Sequence, residues 1–398
     1  MRDRARAAVN YVAPYGDGDN WRRHQLAEFL QERSARKQEA AASQDLVIEP
    51  RNQVTLFDEL LFKILILLPA QSLFRLQFVC KKWFEIINSS IFIRCHAQQS
   101  ETVLICRKLT LSEENTKSYF HFMDLDCGGN RFMESSSMEL SDILASCDGL
   151  ILVRFGKYKK LMIMNPTTRS QVVLPEEKKC GIIYNSFGIA YSNEAKTYSV
   201  VHLYFDKFGR TGCEILCICR RKWKSIEAPP FELVRGMTEI PVTVGESLYW
   251  MDRPSSYYLK MSLHDEKFVC REFPVSRTAY WDKLMEMEGR QLGFVNHAEI
   301  DVLQVWILMD EGGLMKEKWV KMYSLNLGMD VTFYMPICST RNGKEMVIEG
   351  PDHKMYVYNF ERGEMKLVHS RNDDEAWGGW VQKHHIPHRD TLVSCHVR

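Results

Sequence analysis

The stretch of sequence that decides the fold is residues 56–93, LFDELLFKILILLPAQSLFRLQFVCKKWFEIINSSIFI. Read at helical spacing, its first half has an apolar stripe with more apolar residues on both flanks: Leu60, Ile64, Leu67 and Leu68 in the stripe, Leu61 and Leu65 beside it, Phe62 and Ile66 opposite. A surface helix has one apolar face, so this pattern predicts helices that are buried on more than one side. A unit of about 40 residues is near the lower limit for closing its own core. We therefore expect the surplus apolar surface to contact the rest of the chain or another protein.

The same stretch contains a specific order of residues: Leu56, Asp58-Glu59-Leu60-Leu61, Ile64-Leu65, Leu68-Pro69, Ser72-Leu73, Arg75, Val79-Cys80-Lys81, Trp83 and Ile86-Ile87. This order resembles the F-box, a motif of three short helices that docks on the Skp adaptor of cullin–RING ubiquitin ligases. The family usually begins with Leu-Pro, whereas here Leu56 is followed by Phe57. The resemblance implies that F-box core and adaptor contacts are shared among Leu56, Phe57, Leu60, Leu61, Ile64, Leu65, Leu68, Pro69, Val79, Cys80 and Trp83. It does not divide these residues between the two roles.

The bulk properties exclude several classes of function. The chain has 398 residues, enough for two or three domains, and 52 basic residues against 51 acidic ones. A net charge of +1 gives no long-range field toward nucleic acid or an anionic membrane, so neither is expected as a partner. Residues 1–20 lack the apolar block of a secretory signal, and the run 60–69 is interrupted by Lys63. These patterns predict an intracellular protein of the cytoplasm, the nucleus or both, with its twelve cysteines as free thiols.

From residue 101 onward the helical period gives way to short apolar or alternating runs between turn residues, which is typical of an all-β domain. A weak strand–turn–strand repeat recurs six times, with turns at Asp124, Asn165, Arg220, His264, Leu325 and Glu361. The mean spacing is about 47 residues, the length of a four-stranded propeller blade. The repeat therefore predicts a six-bladed β-propeller, with a β-sandwich pair as the competing architecture.

The chain thus divides into three parts. Residues 1–50 are predicted to be a flexible or partly helical arm, residues 52–98 the helical unit, and residues 101–398 the β domain. The last apolar segment, 391–397 (TLVSCHV), has no partner strand after it in the sequence. Since propellers commonly complete one blade with strands from both ends, we expect this segment to close the ring.

Several short motifs follow the helical unit in a fixed order: Ser146-Cys147-Asp148-Gly149-Leu150, Asn165-Pro166-Thr167-Thr168-Arg169, Leu174-Pro175, Gly188-Ile189-Ala190-Tyr191, Gly245-Glu246-Ser247-Leu248-Tyr249-Trp250, Val305-Trp306-Ile307-Leu308-Met309 and Glu317-Lys318-Trp319-Val320-Lys321. Their order along the chain resembles that of the plant F-box-associated domain. The resemblance implies a kelch-like or propeller-like module that recognises a target protein. The sequence does not identify the residues that contact the target. Asp148-Gly149 and Asn165-Pro166 are also the residue types that tight turns require.

A search for catalytic and metal-binding patterns favours a non-catalytic protein. The sequence has no G-x-S-x-G, H-E-x-x-H, P-loop or G-x-G-x-x-G pattern. His384, His385 and His388 are the best metal candidates, but neighbouring histidines on an extended chain point to opposite faces. Cys213, Cys217 and Cys219 have no second ligand pair. We therefore predict no metal and no cofactor.

Together the two resemblances predict a substrate-recognition subunit of a Skp–cullin–F-box ubiquitin ligase. Such a protein binds the Skp adaptor, and through it a cullin–RING ligase, with its F-box and holds an unknown target protein with its propeller. The alternatives are a propeller oxidoreductase or hydrolase with a vestigial F-box, and an F-box scaffold that acts outside the ligase. Trp223, Trp250, Trp306 and Trp319 are interpreted as blade core.

Overall fold

The computed structural model of the chain describes residues 58–111, 116–125, 130–134, 140–156, 160–177, 184–230, 240–252, 254–276, 278–287, 290–310, 317–340, 343–351, 354–369 and 385–395. The predicted arm and the site residues Leu56 and Phe57 lie outside this part of the chain. No helix within it is long and apolar enough to cross a membrane.

The described chain begins with four helices: α1 (Asp58–Leu65), α2 (Ala70–Leu76), α3 (Lys81–Ile87) and α4 (Ser90–Gln99). The first turn of α1 carries Asp58 and Glu59, and negative charge there stabilises the helix dipole. Pro69 separates α1 from α2 and stands at the cap of α2. Ser89 caps α4 by accepting a hydrogen bond at its Oγ from the backbone N–H of Phe92, at 3.2 Å. The unit therefore has one helix more than the three that the resemblance implies.

The rest of the described chain forms six four-stranded antiparallel sheets. Blade 1 contains β1 (Thr102–Leu111), β2 (Thr116–Met123) and β3 (Asn130–Glu134). Blade 2 contains β4 (Leu140–Cys147), β5 (Leu150–Phe155), β6 (Lys160–Asn165) and β7 (Ser170–Val173). Blade 3 contains β8 (Tyr184–Ser192), β9 (Thr197–Phe205), β10 (Thr211–Cys217) and β11 (Lys222–Ile226).

The last three blades repeat the pattern. Blade 4 contains β12 (Val242–Val244), β13 (Ser247–Met251), β14 (Tyr257–Ser262) and β15 (Lys267–Glu272). Blade 5 contains β16 (Lys283–Met287), β17 (Gln291–Glu299), β18 (Val302–Asp310) and β19 (Glu317–Asn326). Blade 6 contains β20 (Met335–Ser339), β21 (Glu345–Glu349), β22 (Met355–Asn359) and β23 (Glu364–His369). The final strand, β24 (Ile386–Arg389), joins blade 1 beside β1.

The six sheets close into a ring. The inner strands β24, β4, β8, β12, β16 and β20 contact one another in that order, and β20 returns to β24. Apolar clusters fill the spaces between neighbouring blades, for example Leu152, Ile189 and Val200 between blades 2 and 3. The fold is therefore a six-bladed β-propeller, as the repeat predicts.

The ring is closed by a different segment from the one predicted. The prediction assigned closure to 391–397, but the strand that pairs with β1 is β24, in which Ile386 lies opposite Ile105 and Arg389 opposite Thr102. Residues 391–395 follow β24 without forming a strand. The prediction that the end of the chain closes the ring was correct, but the predicted segment was wrong. IPHR has weaker strand character than TLVSCHV, so only its pairing with β1 identifies it as the closing strand.

One repeat anchor was also wrong. Asp124, Asn165, Arg220, His264 and Glu361 stand at or next to turns between the third and fourth strands of their blades. Leu325 instead lies inside β19 and is buried. The third and fourth strands of blade 5 are β18 and β19, and β19 begins eight residues before Leu325. The position was misassigned because β19, at ten residues, is a longer strand than most of the others.

Antiparallel connections alternate between the two ends of a blade, so the propeller has two different faces. The first-to-second and third-to-fourth turns lie on one face, which we call the helix face. The second-to-third turns and the linkers between blades lie on the opposite face, which we call the far face. The helical unit packs against the helix face.

Candidate functional site

The first candidate site is an exposed apolar row on α1. Leu60, Ile64 and Leu67 are 47%, 48% and 77% exposed, and their spacing places them on one face of the helix. The backbone N–H of Leu67 donates to the carbonyl of Ile64 at 3.3 Å, so the helical path continues past Leu65. We call these three residues the α1 row. An exposed contiguous apolar row on a small unit is typical of a protein–protein contact.

The opposite side of the same helix is core. Leu61 and Leu65 are buried together with Leu73, Ile87 and Phe92. These residues already fill the interior of the helical unit, so the α1 row is not needed to form its core. An ion pair between Lys82 and Asp58 joins the start of α3 to the start of α1. Val79, which precedes α3, is another exposed apolar residue, at 47%.

The helical unit is fixed to the helix face of blade 2 by the segment after β24. Leu392 of this segment lies in the core of the helical unit. Asp390 accepts a hydrogen bond from Gln71 of α2 at 3.4 Å and another from Thr167 of blade 2 at 3.1 Å. Ala97 of α4 is buried in the cluster between blades 2 and 3. The helical unit and the propeller therefore share a core.

The two turn motifs identified from sequence hold this segment in place. The Asn165 side-chain amide donates to the carbonyls of Thr391 and Val393, at 2.9 and 2.8 Å. The Thr391 hydroxyl donates to the Asp148 carbonyl at 2.6 Å. Gly149 has a φ of +86°, and a Cβ there would lie 2.1 Å from Oγ1 of Thr391, so only glycine fits. The motifs are turns, as predicted, and they also anchor the end of the chain.

Two ion pairs join blades that are not neighbours, close to the propeller axis and near the helix face. Arg290, at the β16–β17 turn, lies 2.7 Å from Asp148, at the β4–β5 turn on the opposite side of the ring. Arg389 of β24 lies 3.1 Å from Glu286 of β16. Burial raises the pKa of Glu286, and the charges of Arg389 and Arg290 partly offset this. Burial alone would lower the pKa of Arg290, but the charges of Asp148 and Glu286 raise it.

We expect Arg389→Met to destabilise the fold by about 1.5–3 kcal/mol at pH 8, the range for a hydrogen bond to a charged group, because Glu286 is partly exposed and keeps the charge of Arg290 nearby. The pKa of Glu286 is already raised, and it should rise further without Arg389. A carboxyl with a raised pKa in the folded state stabilises that state at low pH and loses the effect as pH rises. The stability deficit should therefore shrink between pH 8 and pH 5, measured by urea unfolding.

The double variant Arg389→Met with Glu286→Gln is the matched control, because it leaves no uncompensated carboxylate. It should recover much of the loss at pH 8 and show no extra dependence on pH. A deficit that is equal at both pH values in the single variant would mean that the Glu286 charge is not desolvated at the axis.

The histidine group, the best metal candidate from sequence, has a structural role. His385 lies 3.7 Å from Glu349 of blade 6, and Nδ1 of His388 lies 2.9 Å from the Ser146 hydroxyl of blade 2. These two histidines therefore connect β24 to the blade on either side of it. Among the residues that the structure describes, no three His, Cys, Asp or Glu side chains converge as metal ligands. His384 lies outside the described residues.

A buried thiol accompanies this closure. The sulfur of Cys106 lies 3.7 Å from Nδ1 of His121, and Cys106 is 2% exposed. Burial would raise its pKa, but hydrogen bonds to His121 and His385 lower it to about 6. Burial would lower the pKa of His385, but hydrogen bonds to Cys106 and Glu349 raise it to about 9. The thiol is buried between His121 and His385, so it belongs to the junction of blades 1 and 6.

The four tryptophans predicted as blade core are buried or partly buried. Trp250 is buried, whereas Trp223, Trp306 and Trp319 are partly buried against the clusters between blades. The sulfurs of Cys217 and Cys219 lie 2.8 Å apart, Cys213 is buried, and Cys219 is exposed just beyond the end of β10.

Comparison with known proteins agrees with this geometry. A family model described as the F-box associated beta propeller domain matches residues 101–386. The chain belongs to this family. A second model, described as F-box-like, matches residues 58–98, which contain the α1 row. The protein is therefore a plant-type F-box protein with a C-terminal F-box-associated propeller.

Relatives from Arabidopsis thaliana are named as F-box proteins. F-box protein At3g07870 is 24% identical over 306 residues, covering 65% of this chain and 69% of its own length. F-box/kelch-repeat protein At2g43445 is 24% identical over 307 residues, covering 72% of this chain and 71% of its own. Among solved structures, the β-propeller domain of Cps50 (Swd1) from Myceliophteria thermophila matches with a TM-score of 0.40 and 10% identity. That match covers 67% of this chain and 88% of the other.

The structure places the predicted F-box residues that it describes in three environments. Leu61 and Leu65 are core; Leu60, Ile64, Val79 and Pro69 are exposed; Leu68, Cys80 and Trp83 are intermediate, with Leu68 and Trp83 packed against the core. Leu67 was part of the predicted stripe but not of the predicted site, and it is the most exposed of the row. Helical phase relative to the buried residues would have identified it.

Proposed function

We propose that this protein is the substrate-recognition subunit of a Skp–cullin–F-box ubiquitin ligase and performs no bond chemistry itself. In this proposal the α1 row binds the Skp adaptor, which connects it to a cullin–RING ligase, and the propeller binds a target protein. The protein would act in the cytoplasm, the nucleus or both. Catalysis then comes from proximity, because tethering raises the concentration of the target at the ubiquitin-charged enzyme.

The observation that carries this proposal is the way in which the F-box is attached to the propeller. Leu392 and Ala97 fix the F-box to the helix face, while the α1 row remains exposed. The far face is on the opposite side of the propeller and is free of the F-box helices. A receptor needs two binding surfaces held in a fixed geometry, and this arrangement supplies them.

The half-life of a bound protein tests the proposal. Proteins that co-purify with the full chain are identified, and their half-lives are measured in cells expressing the wild type or Leu60→Asp with Ile64→Asp. The variant should retain the target but not the ligase, so the target half-life should lengthen several-fold. Met322→Asp is a matched control, since Met322 is 46% exposed on the outer strand of blade 5. Equal half-lives with the wild type and the double variant would refute the ligase role and favour a scaffold.

A further inference from the structure

The far face carries the most exposed large apolar side chains of the propeller that the structure describes. Phe208, Tyr280, Ile300 and Phe333 are 69%, 65%, 65% and 60% exposed, and each lies in a second-to-third turn or a linker between blades. Three of the four surround blade 5: Tyr280 precedes β16, Ile300 lies between β17 and β18, and Phe333 follows β19. Exposed aromatic and aliphatic side chains in such a cluster are typical of protein-binding sites.

Hydrogen bonds hold these three segments together. Asp282, which is buried, accepts hydrogen bonds from the backbone N–H groups of Ala279 and His297, at 2.7 and 2.8 Å. The His297 ring lies 3.0 Å from Asp282 through Nδ1 and 3.0 Å from the Tyr334 carbonyl through Nε2. The linker that carries Tyr280, the strand that leads to Ile300 and the linker that carries Phe333 therefore meet at one histidine.

A backbone contact completes the cluster. The N–H of Val331 donates to the carbonyl of Ile300 at 2.8 Å, which fixes the linker before Phe333 against the β17–β18 turn. Trp281 is half-buried beside Tyr280, with ring centroids 4.8 Å apart. We call Tyr280, Trp281, Ile300 and Phe333 the blade-5 corner. A surface whose loops are already ordered loses little entropy on binding.

The charged side chains that flank Ile300 and precede Phe333 are acidic. Glu299 and Asp301 flank Ile300 in the same turn, and Asp330 precedes the linker residue that bonds to Ile300. Glu299 and Asp330 are exposed, and within the described residues none of the three carboxylates forms an ion pair with Lys or Arg. The rings of Tyr280 and Trp281 also attract cations to their faces. Basic groups of a partner would complement both features.

The other exposed aromatic of the far face has the opposite surroundings. Lys207 and Arg210 each place their charge 5.1 Å from the centroid of the Phe208 ring. Phe208 is therefore an aromatic residue of comparable exposure, on the same face, with basic rather than acidic neighbours. This contrast provides an internal control for the role of charge.

We propose that the blade-5 corner is the docking site for a target segment in which a bulky apolar residue is flanked by Lys or Arg. This proposal rests on the proposed function and adds the chemistry of the target. The apolar side chain of the segment contacts Ile300 and Phe333, and its cations lie against the three carboxylates and the two aromatic rings. The same carboxylates repel the phosphates of nucleic acid and of anionic lipids.

Binding of two peptide pools to the full chain tests the proposal. Both pools are fluorescein-labelled and share central Phe or Leu residues, but one has Lys and Arg as flanking residues and the other Asp and Glu. By fluorescence anisotropy we expect the basic pool to bind at least about tenfold more tightly, a preference typical of two or three partly screened charge pairs. The preference should decline as salt is added.

Variants locate the binding. Ile300→Ser with Phe333→Ser should weaken binding of the basic pool by about tenfold or more, because its apolar contacts are lost. Replacing the carboxylates together, Glu299→Gln, Asp301→Asn and Asp330→Asn, should remove the preference between pools. Phe208→Ser should change the dissociation constant of the basic pool by less than about twofold relative to the wild type. Thermal melting of each variant checks that the propeller remains folded.

Three results would overturn the proposal: equal binding of both pools, no binding of either pool, or an equal loss with Phe208→Ser. Any of these would leave the adaptor binding and target half-lives of the proposed function intact. Conversely, the half-lives could be equal with the wild type and the double variant while the basic pool still binds at the blade-5 corner. The corner would then be a docking site in a protein that does not act in a ligase. The two failures can therefore be distinguished.

Discussion

A chain that ends at His385 should unfold or aggregate well below the melting temperature of the full chain. This truncation removes β24, so β1 loses its partner strand and blade 1 exposes a row of unpaired backbone groups. It also removes Arg389, the partner of Glu286, and the buried side chains of Leu392 and Val393. Burial of two such side chains contributes about 1.5–3 kcal/mol each. The total loss approaches the whole stability of a typical domain, about 5–15 kcal/mol.

A second truncation separates ring closure from mounting of the F-box. A chain that ends at Arg389 keeps β24 and both axial ion pairs but loses Leu392 and the groups that Asn165 binds. We expect its propeller to melt closer to the full chain, while the F-box helices become much more sensitive to limited proteolysis. A chain that ends at Cys395 is the control, since it keeps the described contacts of the C-terminal segment.

Differential scanning fluorimetry and limited proteolysis of the three chains provide the measurement. If the chain ending at His385 melts at the same temperature as the chain ending at Cys395, then β24 does not close the ring. If the chain ending at Arg389 loses as much stability as the chain ending at His385, the segment after β24 supports the propeller itself and not mainly the F-box.

The sequence predicted the blade number because each blade repeats its own local pattern of strand and turn. Local pattern could not identify the closing strand, since the pairing of Ile386 with Ile105 joins residues far apart in the chain. The same limit applies to Asn165: its side chain suits a turn, but its bonds to Thr391 and Val393 depend on where the chain end lies. The sequence around a turn residue does not show which distant residues it contacts.

The F-box residues show what helical spacing can and cannot resolve. Spacing groups the leucines and isoleucines of α1 into faces, but with apolar residues nearly all round the helix it does not show which face is core. Packing on Leu73 and Phe92 selects Leu61 and Leu65, and Leu60 and Ile64 are then left outside. The blade-5 corner was missed for a related reason, because Tyr280, Ile300 and Phe333 come together only through the Asp282 and His297 contacts.

The double variant Leu60→Asp with Ile64→Asp should abolish binding to a purified Skp adaptor. Each wild-type side chain would contribute about 1.5–3 kcal/mol if it were buried in the complex. Replacing them by carboxylates also buries charge against an apolar partner, which costs several kcal/mol more. We expect affinity to fall by at least about 100-fold, measured by isothermal titration calorimetry.

The exposure of the two residues is what makes this experiment decisive. Both are about half exposed, so the double variant should melt within a few degrees of the wild type, whereas Leu65→Asp places a charge in the F-box core and should unfold it. Met322→Asp, at a similar exposure on blade 5, should bind the adaptor like the wild type. Loss of binding with an unchanged melting temperature would assign the contact to the α1 row. Unchanged binding of the double variant would instead mean that the adaptor contacts another surface, and Val79, exposed before α3, would be the next residue to replace.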